Sequence, residues 1–108
     1  MTDKIVVLST AASREEAQKI ARALVERRLA ACVTIVGPVE SIYRWQSAID
    51  HAQEFMLVIK TRHECFPPLL DAVRELNKYE LPECIALRIE HGDENYLDWL
   101  AAETAVET

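Results

Sequence analysis

Apolar residues change their spacing several times along this 108-residue chain, and each change marks an element. Lys4 to Ser9 (KIVVLS) is a continuous apolar run of buried-strand type. Ser13-Arg14-Glu15-Glu16 follows as a capping box, in which the Ser13 and Glu16 side chains can satisfy each other's free amides. Behind it Ala17, Ile20, Ala21, Leu24 and Val25 recur at i, i+3, i+4, i+7 and i+8, which predicts a helix ending near Arg28. Glu15, Lys19, Arg22 and Glu26 take its wet side, and the arginines at its end suit the helix dipole.

The next stretch is longer than a small domain needs. Strand-formers run from Val33 to Trp45 with only Gly37-Pro38 interrupting, and a ribbon from Ala31 to Gln46 would reach about 50 Å at roughly 3.3 Å per residue. Asp50-His51-Ala52-Gln53 reads as a polar reversal, and Glu54 to Thr61 as the returning strand of an antiparallel hairpin. Pro67-Pro68 then opens a helix, since proline fits a first turn, with Phe66, Leu69, Leu70, Val73 and Leu76 at helical spacing. Glu83 to Ile89 is a fourth strand introduced by Pro82, and Asp93 caps a last helix on which Tyr96, Trp99 and Leu100 share a face. The order β-α-β-β-α-β plus a helix fits an α+β, ferredoxin-like sandwich, with both main helices on one face of an antiparallel sheet.

A helix of about sixteen residues covers roughly 24 Å, so the two main helices shield only about half of the ribbon. Proline cannot donate to a ladder, so Gly37-Pro38 marks a bend where the outer half leaves the domain. That half carries Ile42, Tyr43 and Trp45, with Ile42 on the opposite face from the two aromatics, and needs cover. The simplest cover is another copy of the chain, in a closed ring that also removes exposed edges. The alternative is two short strands folded back at Gly37-Pro38 within one monomer.

Composition narrows the partners. Half of the residues are apolar and 28% charged, with two glycines, an ordinary globular balance for one domain over residues 1–108. Met1 to Lys4 and Thr104 to Thr108 read as tails. The net charge of −6 and the scattered arginines exclude a nucleic-acid footprint. No window reaches membrane-spanning length and Ile5 to Leu8 is too short for a signal-peptide core, so the expected compartment is cytoplasmic, with no membrane partner. Cys32, Cys65 and Cys84 fit neither a disulfide framework nor paired zinc knuckles, and read as reduced thiols.

Leu29-Ala30-Ala31-Cys32-Val33, Ser41-Ile42-Tyr43-Arg44-Trp45, Glu54 with Ile59-Lys60-Thr61, Tyr79-Glu80-Leu81-Pro82-Glu83 and Tyr96-Leu97-Asp98-Trp99 together resemble the CutA-type divalent-cation tolerance proteins. The resemblance spans about Ile5 to Leu100. It implies a homotrimer built through the long hairpin, similar in architecture to the PII signalling proteins, and an association with copper or another divalent metal. Where that family commonly reads His-Pro-Tyr-Glu, this chain has Asn77-Lys78-Tyr79-Glu80, so a ligand role for the histidine does not transfer to Asn77.

Cys32, in the matching Ala-Cys-Val block, is the candidate metal ligand, since a thiolate suits Cu(I) or Zn(II); a small core side chain is its other reading. His63 and Cys65 form an H-x-C pair with no further ligand in register. Cys84 follows Glu83 on a strand, so the two point to opposite faces. His51, in the expected turn, and His91 with Asp93 read as solvated turn residues. Lys60 and Glu54 are either ordinary paired charges or polar groups lining a cleft between subunits. Tyr79 and Glu83 are expected in the same cleft and Ile42, Tyr43 and Trp45 in the trimer interface, with plain packing the other reading of the three aromatics Tyr79, Tyr43 and Trp45. There is no phosphate loop, H-E-x-x-H or G-x-S-x-G, so no enzyme is expected. The expected function is a homotrimer that binds divalent metal or copper; a PII-like sensor of a small ligand and a purely structural trimer are the alternatives.

Overall fold

The computed structural model describes residues 2–105. Its elements run β1 (Lys4–Ala11), α1 (Arg14–Glu26), β2 (Cys32–Trp45), β3 (Ala48–Arg62), a single 3-10 turn (His63–Cys65), α2 (Phe66–Leu76), β4 (Ile85–Arg88) and α3 (Glu94–Ala102). The sheet is ordered β2-β3-β1-β4, with every pair antiparallel. This is the expected α+β arrangement.

Alternation along the strands sends Ile5, Val7, Leu57 and Ile59 to one face, where they meet Ala17, Ile20 and Leu24 of α1 and Leu69, Ala72 and Val73 of α2. Val25 departs from the expected stripe and is 43% exposed, whereas Glu16 is buried in the first turn. The Ser13 hydroxyl accepts from the Glu16 N–H at 3.1 Å, but the Glu16 carboxylate does not return to Ser13. It accepts from the Ala12 and Lys78 N–H groups, each at 3.0 Å.

The hairpin is as long as the apolar run implies. β1 pairs with β3 only from Phe55 to Arg62, so Val39 to Trp45 and Ala48 to Glu54 pair with each other and run on beyond the helices. The register shifts between Val36 and Val39, and an added Cβ on Gly37 would lie 2.6 Å from the Phe55 ring. Gly37-Pro38 therefore bends one continuous strand and does not fold it back.

The polar reversal at Asp50 to Gln53 is corrected. Those residues lie inside β3, where His51 pairs with Ile42, and the turn is Gln46-Ser47 between the paired Trp45 and Ala48. Positive φ at both Gln46 (49°) and Ser47 (68°) gives the backbone twist that a two-residue hairpin needs. Neither residue carries the usual Asn-Gly signal, and the polar residues farther on belong to β3.

β4 is shorter than the expected Glu83 to Ile89, an edge strand that meets only Ile5 to Leu8. Lys4 opens β1, and the Thr2 hydroxyl donates to the Ile89 carbonyl at 2.7 Å, so the expected N-terminal tail is tied to the sheet from Thr2 on. Thr104 is 4% exposed, its hydroxyl accepts from Arg62 Nε at 2.8 Å, and the Ala105 N–H bonds the Arg28 carbonyl. The rest of both tails, residue 1 and residues 106–108, lies outside the described residues. No helix among the described residues is long and apolar enough to cross a membrane.

Candidate functional site

Where the hairpin leaves the body, it forms a cleft of about 780 Å³ with the loop that follows α2. Such a volume is in the range of small-molecule sites. Glu54 is its polar centre. It stands opposite Val39 just beyond the bend and is 7% exposed. Burial alone would push its carboxyl up, but hydrogen bonds from Ser41, Tyr79 and Thr10 hold it below the ordinary glutamate value. Each donor comes from a different element: Ser41 from β2, Thr10 from the end of β1, and Tyr79 from the loop after α2. Burial, and then the bond to the Glu54 carboxylate and its charge, push the Tyr79 phenol well above its usual range. Tyr79 is thus a proton donor to Glu54, not a phenolate.

Around this centre the lining is acidic and aromatic. Asp50, Glu80, Glu83 and Arg44 line the cleft, and Tyr43 and Trp45 wall the hairpin side. The field inside favours a cationic guest, and the rings offer faces on which a cation can rest.

The structure brings Tyr79, Glu83, Ile42, Tyr43 and Trp45 together at this one cleft. Lys60 and Cys32 are not part of it. They pair with each other across β2 and β3, and the Lys60 ammonium donates to the Thr34 hydroxyl at 3.0 Å. Cys32 is half-buried, Cys65 is fully buried in its 3-10 turn, and Cys84 packs against the core. The His63–Cys65 clamp is thereby removed, because the thiol points inward while His63 is exposed. Among the described residues no group of three or more His, Cys, Asp or Glu side chains converges as a metal site. A soft copper ion needs a second sulfur or imidazole, whereas the cross-strand neighbour of Cys32 is a lysine, so among the described residues this strand pair does not fit copper.

Asn77 also differs from a lost ligand. Its side chain is turned away from the cleft, with Nδ2 donating to the Thr10 carbonyl and Oδ1 accepting from the Tyr79 N–H, both at 2.9 Å. Sequence reasoning gave no role to Thr10, Ser41 or Asp50. Ser41 stands in a quoted block and could have been found there; Thr10 carries no signal, since the contact depends on how far β1 reaches.

A family model described as CutA1 divalent ion tolerance protein matches residues 5–103. The chain is 50% identical over 99 residues to the divalent-cation tolerance protein CutA of Thermus thermophilus, covering 92% of this chain and 96% of that protein. It is 42% identical over 100 residues to the chloroplastic protein CutA of Arabidopsis thaliana, covering 93% of this chain but 55% of that longer protein. A solved structure of the Thermus thermophilus divalent cation tolerance protein superposes with a TM-score of 0.93 at 49% identity, covering 94% of this chain and 99% of the other.

Proposed function

The chain belongs to the CutA1 divalent ion tolerance family, and from that premise we propose that it serves divalent-cation tolerance as a non-enzymatic homotrimer whose cleft binds a cationic ligand. One observation carries the reading: a buried carboxylate held ionised by three hydroxyls, in a cleft lined by three further carboxylates and only one guanidinium. A lining whose acceptor side chains are all oxygen-bearing suits a hard or borderline divalent cation better than Cu(I). Among the described residues no three carboxylates come together as ligands of a bare ion, so the cation binds with its water shell or as a complex with a small molecule.

Assembly rests on the hairpin. Ile42 and Ile49, 70% and 69% exposed, form an apolar row on one face of the hairpin that a lone hairpin leaves in water, while Tyr43 and Trp45, about 40% exposed, lie on the other face. A second copy covers this row and narrows the cleft. The size of the cleft favours a second reading, in which a small organic cation replaces the metal. Cytoplasmic residence is part of the proposal, although the Arabidopsis relative is named chloroplastic.

Calorimetric titration of wild type and Glu54→Gln with Mn(II), Zn(II) and spermidine tests the site. The expected result is one divalent cation per chain, lost in the variant. Binding of spermidine alone would favour the second reading, and equal metal binding in both proteins would remove the cleft from the function.

A further inference from the structure

Behind the cleft, Asn77 closes a circuit of hydrogen bonds. It caps α2 with extended backbone and is 8% exposed. Its amide joins the Thr10 carbonyl to the Tyr79 N–H, and these same two residues each place a hydroxyl on Glu54. Glu16, 5% exposed, fastens the adjoining residue: one oxygen accepts from Ala12 and the other from Lys78. A proline at position 78 would have no N–H to offer. Neither Asn77 nor Glu16 lines the cleft; both hold in register the groups that do.

We infer that Asn77, supported by Glu16, is the positioning residue of this cleft, locking the end of β1 to the 77–79 loop so that the Thr10 and Tyr79 hydroxyls converge on the Glu54 carboxylate. The task requires one donor and one acceptor on a short planar side chain. Alanine offers neither, aspartate offers two acceptors and sets one against the Thr10 carbonyl, and neutral imidazole offers one of each. The inference rests on the cleft being a cation site only where ligand affinity is concerned; the hydroxyl geometry is measurable without any ligand.

Protein labelled with ¹³C at tyrosine Cζ has three signals, from Tyr43, Tyr79 and Tyr96. The Tyr79 signal reports Glu54 because its hydroxyl donates to that carboxylate. The other charged or titratable groups lining the cleft with Glu54 are Asp50, Tyr43 and Arg44 from the hairpin and Glu80 and Glu83 from the loop; β1 supplies the Thr10 hydroxyl, and Glu16 of α1 acts on Tyr79 through its charge. In wild type the largest step of the Tyr79 signal is expected as Glu54, its hydrogen-bond partner, protonates below the ordinary glutamate value, with Glu16 adding a smaller one through its charge. In Asn77→Ala the step is expected to move upward, with Mn(II) affinity falling roughly ten-fold, as losses of outer-shell partners do. Asn77→His is expected to restore both. An unmoved step in folded Asn77→Ala overturns the inference. A moved step with unaltered Mn(II) binding supports it and overturns the cation reading of the cleft instead. Should Asn77→Ala not fold, Asn77→Asp keeps the size and loses the donor; its step is expected to move in the same direction, and retention of the wild-type step overturns the inference.

Discussion

Ile42 and Ile49 lie on the same face of the hairpin, since Ile42 pairs with His51 and Arg44 with Ile49. Replacing both by serine separates a solvated hairpin from a covered one. If the hairpin stands in water, two exposed substitutions stay within about 0.5 kcal/mol each. If another copy covers it, each isoleucine loses a burial worth about 1.5–3 kcal/mol for a whole side chain. Scaled to the 70% and 69% that a single chain leaves open, this is about 1–2 kcal/mol per residue. Three hairpins per trimer then weaken assembly by about 6–12 kcal/mol. At 1.4 kcal/mol per factor of ten, the dissociation constant rises by at least about four orders of magnitude. Sedimentation equilibrium across the micromolar range is the assay, with circular dichroism as a check that the sheet survives. The expected result is a trimer for wild type and a dissociating mixture for the double variant. A variant that stays trimeric at the lowest concentration and melts like wild type would refute the reasoning.

Other expectations follow from single contacts. Gly37→Ala sets a methyl 2.6 Å from the Phe55 ring and 3.1 Å from the Glu54 carbonyl, and should destabilise by about 1–3 kcal/mol in urea unfolding; an unchanged midpoint would mean that the bend is not tightly packed. Because the folded-state pKa of Glu54 is lowered, its contribution is present above the unfolded value near 4.5 and is lost as pH falls through the folded one. Melting temperature should therefore drop between pH 5 and the folded pKa more steeply in wild type than in Glu54→Gln, and parallel curves would contradict the hydrogen-bond account. Cys32→Ser is expected to leave Mn(II) and Zn(II) affinity within two-fold, measured by competition with a chelating dye; a larger loss would return the thiol to the site.

The hairpin was legible because a run of strand-formers from Val33 to Trp45, broken only by one Gly-Pro, has few other uses, and periodicity and capping gave both main helices. The turn was not, because Gln46-Ser47 reach positive φ without glycine or asparagine, driven by the pairing on either side of them. Ionisable residues at the cleft were partly visible: Tyr79 and Glu83 sit in a recognisable block, and Glu54 begins an apolar stretch. Which group would be central was hidden, since burial of Glu54 depends on Thr10, Ser41 and Tyr79 arriving from three elements. Asn77 misled for the same reason. Residue type suggested a missing ligand, whereas its side chain binds main chain on both sides.

Native mass spectrometry of untagged protein, sprayed from ammonium acetate with and without added Mn(II), tests the central claim most directly. The account predicts an assembly of three 12.3 kDa chains that gains up to three metal ions, and fewer in Glu54→Gln. A single chain at 12.3 kDa under gentle conditions, or metal uptake that ignores Glu54, would contradict it.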